Sequence, residues 1–112
     1  MHIQRLLVLV LLGLSLTAAA DLKTVTAVYE ADLNYLRLPG AASGTLTFSE
    51  CSDCDLQTLR VTAATRYVLN DRNVSLTEFK KALSRITYRK DVIVDVFHHL
   101  ESNTIIAVMV SL

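Results

Sequence analysis

The sequence predicts a small single α+β domain in which an antiparallel sheet of two hairpins packs against one amphipathic helix, in the order β-β-β-α-β-β. Three observations carry this expectation. An aliphatic run ending in small residues fills the first twenty positions and reads as a removable leader. A capping signature, Ser75-Leu76-Thr77-Glu78, opens a stripe of apolar residues at three- and four-residue steps. Before and after that stripe lie short runs rich in β-branched residues, separated by turn formers.

The leader comes first in chain order. Met1 to Arg5 supplies a weakly positive start, and Leu6 to Leu16 is aliphatic apart from Gly13 and Ser15. Thr17-Ala18-Ala19-Ala20 then offers small residues at Ala18 and Ala20, which suits signal-peptidase cleavage after Ala20. A membrane-spanning helix needs about 20 apolar residues and this run is nearer half that, so no integral membrane segment is expected after cleavage. No cysteine stands at the cleavage point, so lipid attachment is not indicated. The expected location of the mature chain is periplasmic or secreted.

The whole chain of 112 residues holds eleven basic and eleven acidic side chains. The leader removes Arg5 alone, leaving ten against eleven and a net charge near −1. A mature chain of roughly 90 residues suits one domain with a modest core. Its balanced charge weighs against nucleic acid or an anionic membrane as partner, because both are read by concentrated positive charge. Lys80, Lys81, Arg85, Arg89 and Lys90 cluster, and are read as a solvated helix face and its exit.

Residues 21–43 form an N-terminal segment and loop, and residues 44–112 the expected α+β domain. Within the segment, Val25, Ala27 and Tyr29 alternate as in a strand, whereas Leu22, Val25, Tyr29 and Leu33 recur as in a helix. Pro39-Gly40 and Ala41-Ala42-Ser43-Gly44 mark a loop. Thr45 to Ser49 then alternates, with Leu46 and Phe48 on one face, and Gln57 to Thr62 does the same with Leu59 and Val61. The turn Cys51-Ser52-Asp53-Cys54-Asp55 joins them into the first expected hairpin. Thr65 to Leu69 is a further short strand, ending at Asn70-Asp71-Arg72-Asn73.

The helix is expected from about Leu76 to Ile86, with Leu76, Phe79, Leu83 and Ile86 as its buried stripe and positive charge gathered toward its C-terminal end. Asp91 to His98 and Thr104 to Leu112 make the second expected hairpin around Glu101-Ser102-Asn103. Strict alternation places Val94, Val96 and Leu100 with Ile105, Ala107 and Met109, and Ile93, Phe97, Ile106, Val108 and Val110 on the opposite face. Both faces are apolar, yet one helix covers one side. Either residues 21–38 fold across the other side, which is the commoner solution, or a second chain covers it.

Cys51 and Cys54 form C-x-x-C, and a structural disulfide that pins the turn is the preferred reading for an exported chain. A redox pair needs its first cysteine at a helix N-terminus, and here acidic Glu50, Asp53 and Asp55 surround the motif. A zinc site needs two more ligands. His98-His99 could contribute to a metal site, but neighbours on a strand point to opposite faces, so a solvated strand end is expected instead. Asp95 stands among apolar neighbours and should either pair with Arg60 or Arg66, or face water from an edge strand. Asn73-Val74-Ser75 matches a glycosylation acceptor, but Ser75 is committed as the helix cap. No cofactor motif is present.

The leader, the Gly44-Thr45-Leu46-Thr47-Phe48 run and the Cys51/Cys54 turn give the chain an order of elements that resembles small exported bacterial proteins. The leading expectation is therefore an exported, non-enzymatic domain that binds an envelope protein, or itself, through the C-terminal hairpin. The alternative is a thiol-disulfide or metal-handling protein using Cys51, Cys54, His98 and His99.

Overall fold

A computed structural model describes residues 25–112; the expected leader, its cleavage point and residues 21–24 lie outside the described residues. The ambiguous N-terminal segment forms a strand, β1 (Thr26–Asp32). The Asp32 carboxylate ends it by accepting a hydrogen bond from the Asn34 amide at 2.9 Å. A 3-10 turn (Leu33–Tyr35) follows, delivering Leu33 to the interior at 1% exposure. Next come β2 (Gly44–Phe48), β3 (Gln57–Leu69) and β4 (Arg72–Val74). Asn70 and Asp71 join β3 to β4 with φ of 50° and 66°, a pair that asparagine and aspartate tolerate in a two-residue hairpin turn. Helix α1 (Leu76–Ser84) begins at Ser75, whose hydroxyl accepts from the Glu78 amide at 3.1 Å, as its spacing predicts. Strands β5 (Ile93–His99) and β6 (Thr104–Val110) complete the chain.

The sheet is mixed and six-stranded, in the order β1-β5-β6-β3-β2 with β4 also on β3. This corrects the expected antiparallel sheet of two hairpins and the expected element order. The antiparallel β2–β3 and β5–β6 pairings are present, but β3 and β6 run parallel at the centre. The two expected strands Gln57–Thr62 and Thr65–Leu69 are one 13-residue strand. Between Val61 and Arg66 its register against β6 shifts. There Thr65 Oγ1 accepts from the Thr62 amide at 3.0 Å and donates to the Ile105 carbonyl at 2.6 Å. A side chain thus supplies the partner that the interrupted ladder would otherwise leave unmade.

A second irregularity corrects the expected faces of the C-terminal hairpin. His98 pairs with Ile105 and Phe97 with Ala107, so Ile106 is an extra residue. A one-residue insertion exchanges the faces beyond it. Val94, Val96 and His98 therefore share the inner face with Val110, Val108 and Ile105, while Phe97 and Asp95 lie outside with Ala107 and Met109.

The inner face is closed by curvature as well as by the helix. β1 and β2 occupy opposite ends of the strand order, yet Asp32 N–H donates to Ser49 O at 3.0 Å. Beyond the 3-10 turn, Arg37 and Thr47 exchange two backbone hydrogen bonds of 2.7 and 3.1 Å. The Tyr29 and Phe48 rings meet at 5.5 Å across the same junction. Phe79 and Leu83 of α1 enter the space enclosed by the curl, and Leu36 and Leu38 pack beside them. Residues 25–38 thus add an edge strand and help to seal the inner side; they do not cross the other face, as the sequence reading favoured. Among the described residues, no element covers the outer face.

Candidate functional site

Cys51 and Cys54 are joined by a disulfide with a Cα–Cα separation of 5.0 Å. The pair sits at the exposed tip between β2 and β3, where the Cys54 amide donates to the Cys51 carbonyl at 3.2 Å. The buried Ser49 hydroxyl lies under the tip, within reach of both the Cys51 and Cys54 carbonyls. No helix begins at this turn, so no helix dipole is aimed at either sulfur.

The two histidines lie on opposite faces, as strand geometry requires. His98 is not the solvated strand end that its position suggests: it is 7% exposed on the inner face. Its Nε2 stands 2.8 Å from Asn103 Oδ1 and its Nδ1 3.4 Å from the Tyr29 hydroxyl. Both nitrogens are thereby occupied, one by the turn after β5 and one by β1. His99 Nδ1 lies outside, accepting from the Ser102 amide at 3.2 Å and 2.9 Å from the Ser102 hydroxyl. Among the described residues, no three His, Cys, Asp or Glu side chains are grouped as metal ligands.

Asp95 follows neither expected course. It is half-buried on the outer face of β5, which is interior to the sheet between β1 and β6. Its register partners are Glu30 and Met109, with no arginine opposite. The basic cluster also divides: Arg89 is partly buried and donates to Leu33 O and Leu83 O at 3.3 and 3.2 Å, tying the helix end to the 3-10 turn. Lys80 donates to Pro39 O at 3.2 Å. Together with leucines 33, 36, 38 and 83 they line a cleft of about 250 Å³.

The outer face of the sheet is left uncovered by the described elements. Val28 is 53% and Ile93 44% exposed, and half-buried Phe97 and Met109 lie between them and β3. Val28 pairs with Phe97, Phe97 with Ala107, and Ala107 with Arg66, a continuous row across four strands. The adjoining row runs Glu30, Asp95, Met109, Val68. At the β1 end, Val28, Glu30, Glu50 and Ile93 surround an open depression of about 450 Å³. The sequence reading found the apolar residues of β5 and β6 and the alternation around Val28, but left that segment between strand and helix and so did not place Val28 and Glu30 on this face.

No family model matches the sequence, and no curated protein or solved structure is significantly similar to it.

Proposed function

We propose that the chain is a small exported, non-enzymatic domain that binds another protein chain through the outer face of its sheet. The observation that carries this reading is the apolar row on the outer face from exposed Val28 through half-buried Phe97 to buried Ala107, with charged residues at its margins. Contiguous apolar surface rimmed by polar groups is the mark of an interaction site. The aliphatic leader supports export, and a disulfide is compatible with an oxidising compartment. The exposed turn that carries the disulfide is bordered by Glu50, Asp53 and Asp55, which disfavour a thiolate and weigh against the redox alternative.

The test places a photo-crosslinking side chain at position 28 and, as control, at exposed Thr77 on the helix. Expressed in its own host, the chain recovered from the exported fraction should begin at Asp21 by intact mass. The probe at position 28 should give a discrete protein adduct that the probe at position 77 does not. Equal labelling from both positions, or none, would overturn the reading. A reduction potential well above about −300 mV for the Cys51–Cys54 pair would move the redox alternative to the front.

A further inference from the structure

We infer that the chain which covers the outer face is a second copy of this one. The inference rests on the binding role proposed for that face and names its occupant. Its basis is a charge pattern that is incomplete within one copy and complete between two.

Glu30 and Asp95 are directly opposite on neighbouring strands, and like charges so placed are destabilising. Asp32 extends the acidic end by one more pair, opposite Ile93. Arg60 and Arg66 are exposed on the same face of β3, where their register partners are Thr45 and Thr104 for Arg60, and Ala107 for Arg66. The face thus carries unmatched acids on β1 and β5, with Asp71 bordering it beside Asp95, Met109 and Val68, unmatched arginines on β3, and apolar residues between.

The depression at the acidic end specifies the contact further. Val28 and Ile93 offer apolar walls, and Glu30 and Glu50 offer carboxylates. An arginine side chain has this composition in complement: methylenes that bury along apolar surface and a guanidinium that donates to carboxylates. A two-fold axis lying in the plane of contact turns the acidic end of each copy toward β3 of the other, so each depression receives Arg66 of the opposing copy. By symmetry the contact forms twice, and Phe97 and Met109 of the two copies pack between. Charge matching of this kind sets partner choice and register.

The area sets the strength. Four strands about 4.8 Å apart and three rows about 7 Å apart span roughly 20 by 20 Å, some 400 Å² on each copy. The roughly 800 Å² buried in total lies below the usual range for stable complexes and suits a transient one, so the dimer is weak, with a Kd on the order of 10–100 µM.

Sedimentation velocity of the mature, disulfide-bonded chain from about 5 to about 500 µM brackets that range. The expected result is a monomer–dimer equilibrium that weakens with added salt. Arg66→Glu and Glu30→Arg each place like charges in contact and should weaken it at least about tenfold. Mixing the two variants in equal amounts should restore a dimer, because each then supplies the charge that the other lacks. Both positions are exposed, and circular dichroism confirms that each variant is folded. A wild-type chain that stays monomeric throughout, or a mixture no better than its components, overturns the inference. If the wild type is monomeric but the probe at position 28 still captures a discrete foreign protein, self-association fails while the binding role of the face stands. If both experiments are negative, the two readings fall together.

Discussion

At the scale of single residues, this domain places polar side chains in its interior where other polar groups need partners. Thr65 and His98 show the pattern: each is buried, and each bonds groups at irregular points of the sheet, the β3 register shift and the turn after β5. Tyr67 is the exception. Its ring packs on Phe79 at 5.4 Å, but its hydroxyl is buried with no hydrogen-bond partner among the described residues. Burial holds this hydroxyl above the usual tyrosine pKa, because the charged form loses its hydration. The unfolded chain therefore releases this proton first as pH rises. Stability from this group is intact below about pH 10 and declines above it. Tyr67→Phe removes both the unsatisfied hydroxyl and that decline, so it should leave neutral-pH stability unchanged or raise it by about 1 kcal/mol. Urea denaturation at neutral and alkaline pH checks this; a clear loss at neutral pH would mean that the hydroxyl has a partner.

At the scale of elements, turns and caps are made locally and by recognisable residues. Ser75 caps α1 and Ser49 underlies the disulfide turn, so each junction has a side-chain hydroxyl bonded to backbone. The disulfide closes a very short loop, which in the chain-entropy model stabilises by about 2 kcal/mol. The backbone hydrogen bond of the turn and its Ser49 contacts do not involve the sulfur atoms. Replacing both cysteines by serine should therefore lower unfolding free energy by no more than about 2 kcal/mol and leave the β2–β3 pairing intact. Thermal melts and far-ultraviolet circular dichroism read this directly. A variant that fails to fold would show that the bridge does more than pin its own turn.

At the scale of the whole molecule, the decisive event is closure of the curled sheet by the chain just beyond β1. Arg37 and Thr47 bond there, where two ends of the strand order meet. Arg37→Pro removes the donor of the 2.7 Å bond to Thr47 O. The expected cost is about 1–3 kcal/mol, with faster hydrogen exchange at the Thr47 amide while the amides of β5 and β6 keep their order of protection. Unchanged exchange at Thr47 would mean that the sheet holds its curvature without this bridge. The same closure explains why one helix suffices for the inner side. It also leaves the outer face open for the second copy proposed above.

The sequence by itself determined the features that neighbouring residues decide. The α1 start follows from Ser75 and Glu78, the Leu76-Phe79-Leu83-Ile86 stripe from helical spacing, and the Cys51–Cys54 bridge from its C-x-x-C turn. Each depends on contacts within a few positions, where residue type and spacing carry the information. Strand order, the parallel β3–β6 pairing and the role of β1 depend on partners roughly forty to seventy residues away, and no local pattern encodes them. The extra residue at Ile106 shows the consequence: alternation read along β6 alone assigns Ile105 and Val108 to different faces, and only the bulge against β5 brings both inside. The outer face was legible as a surplus of apolar residues. Its composition, with Val28 and Glu30 beside Phe97 and Asp95 and the arginines of β3 at its far end, existed only once the tertiary pairings brought them together.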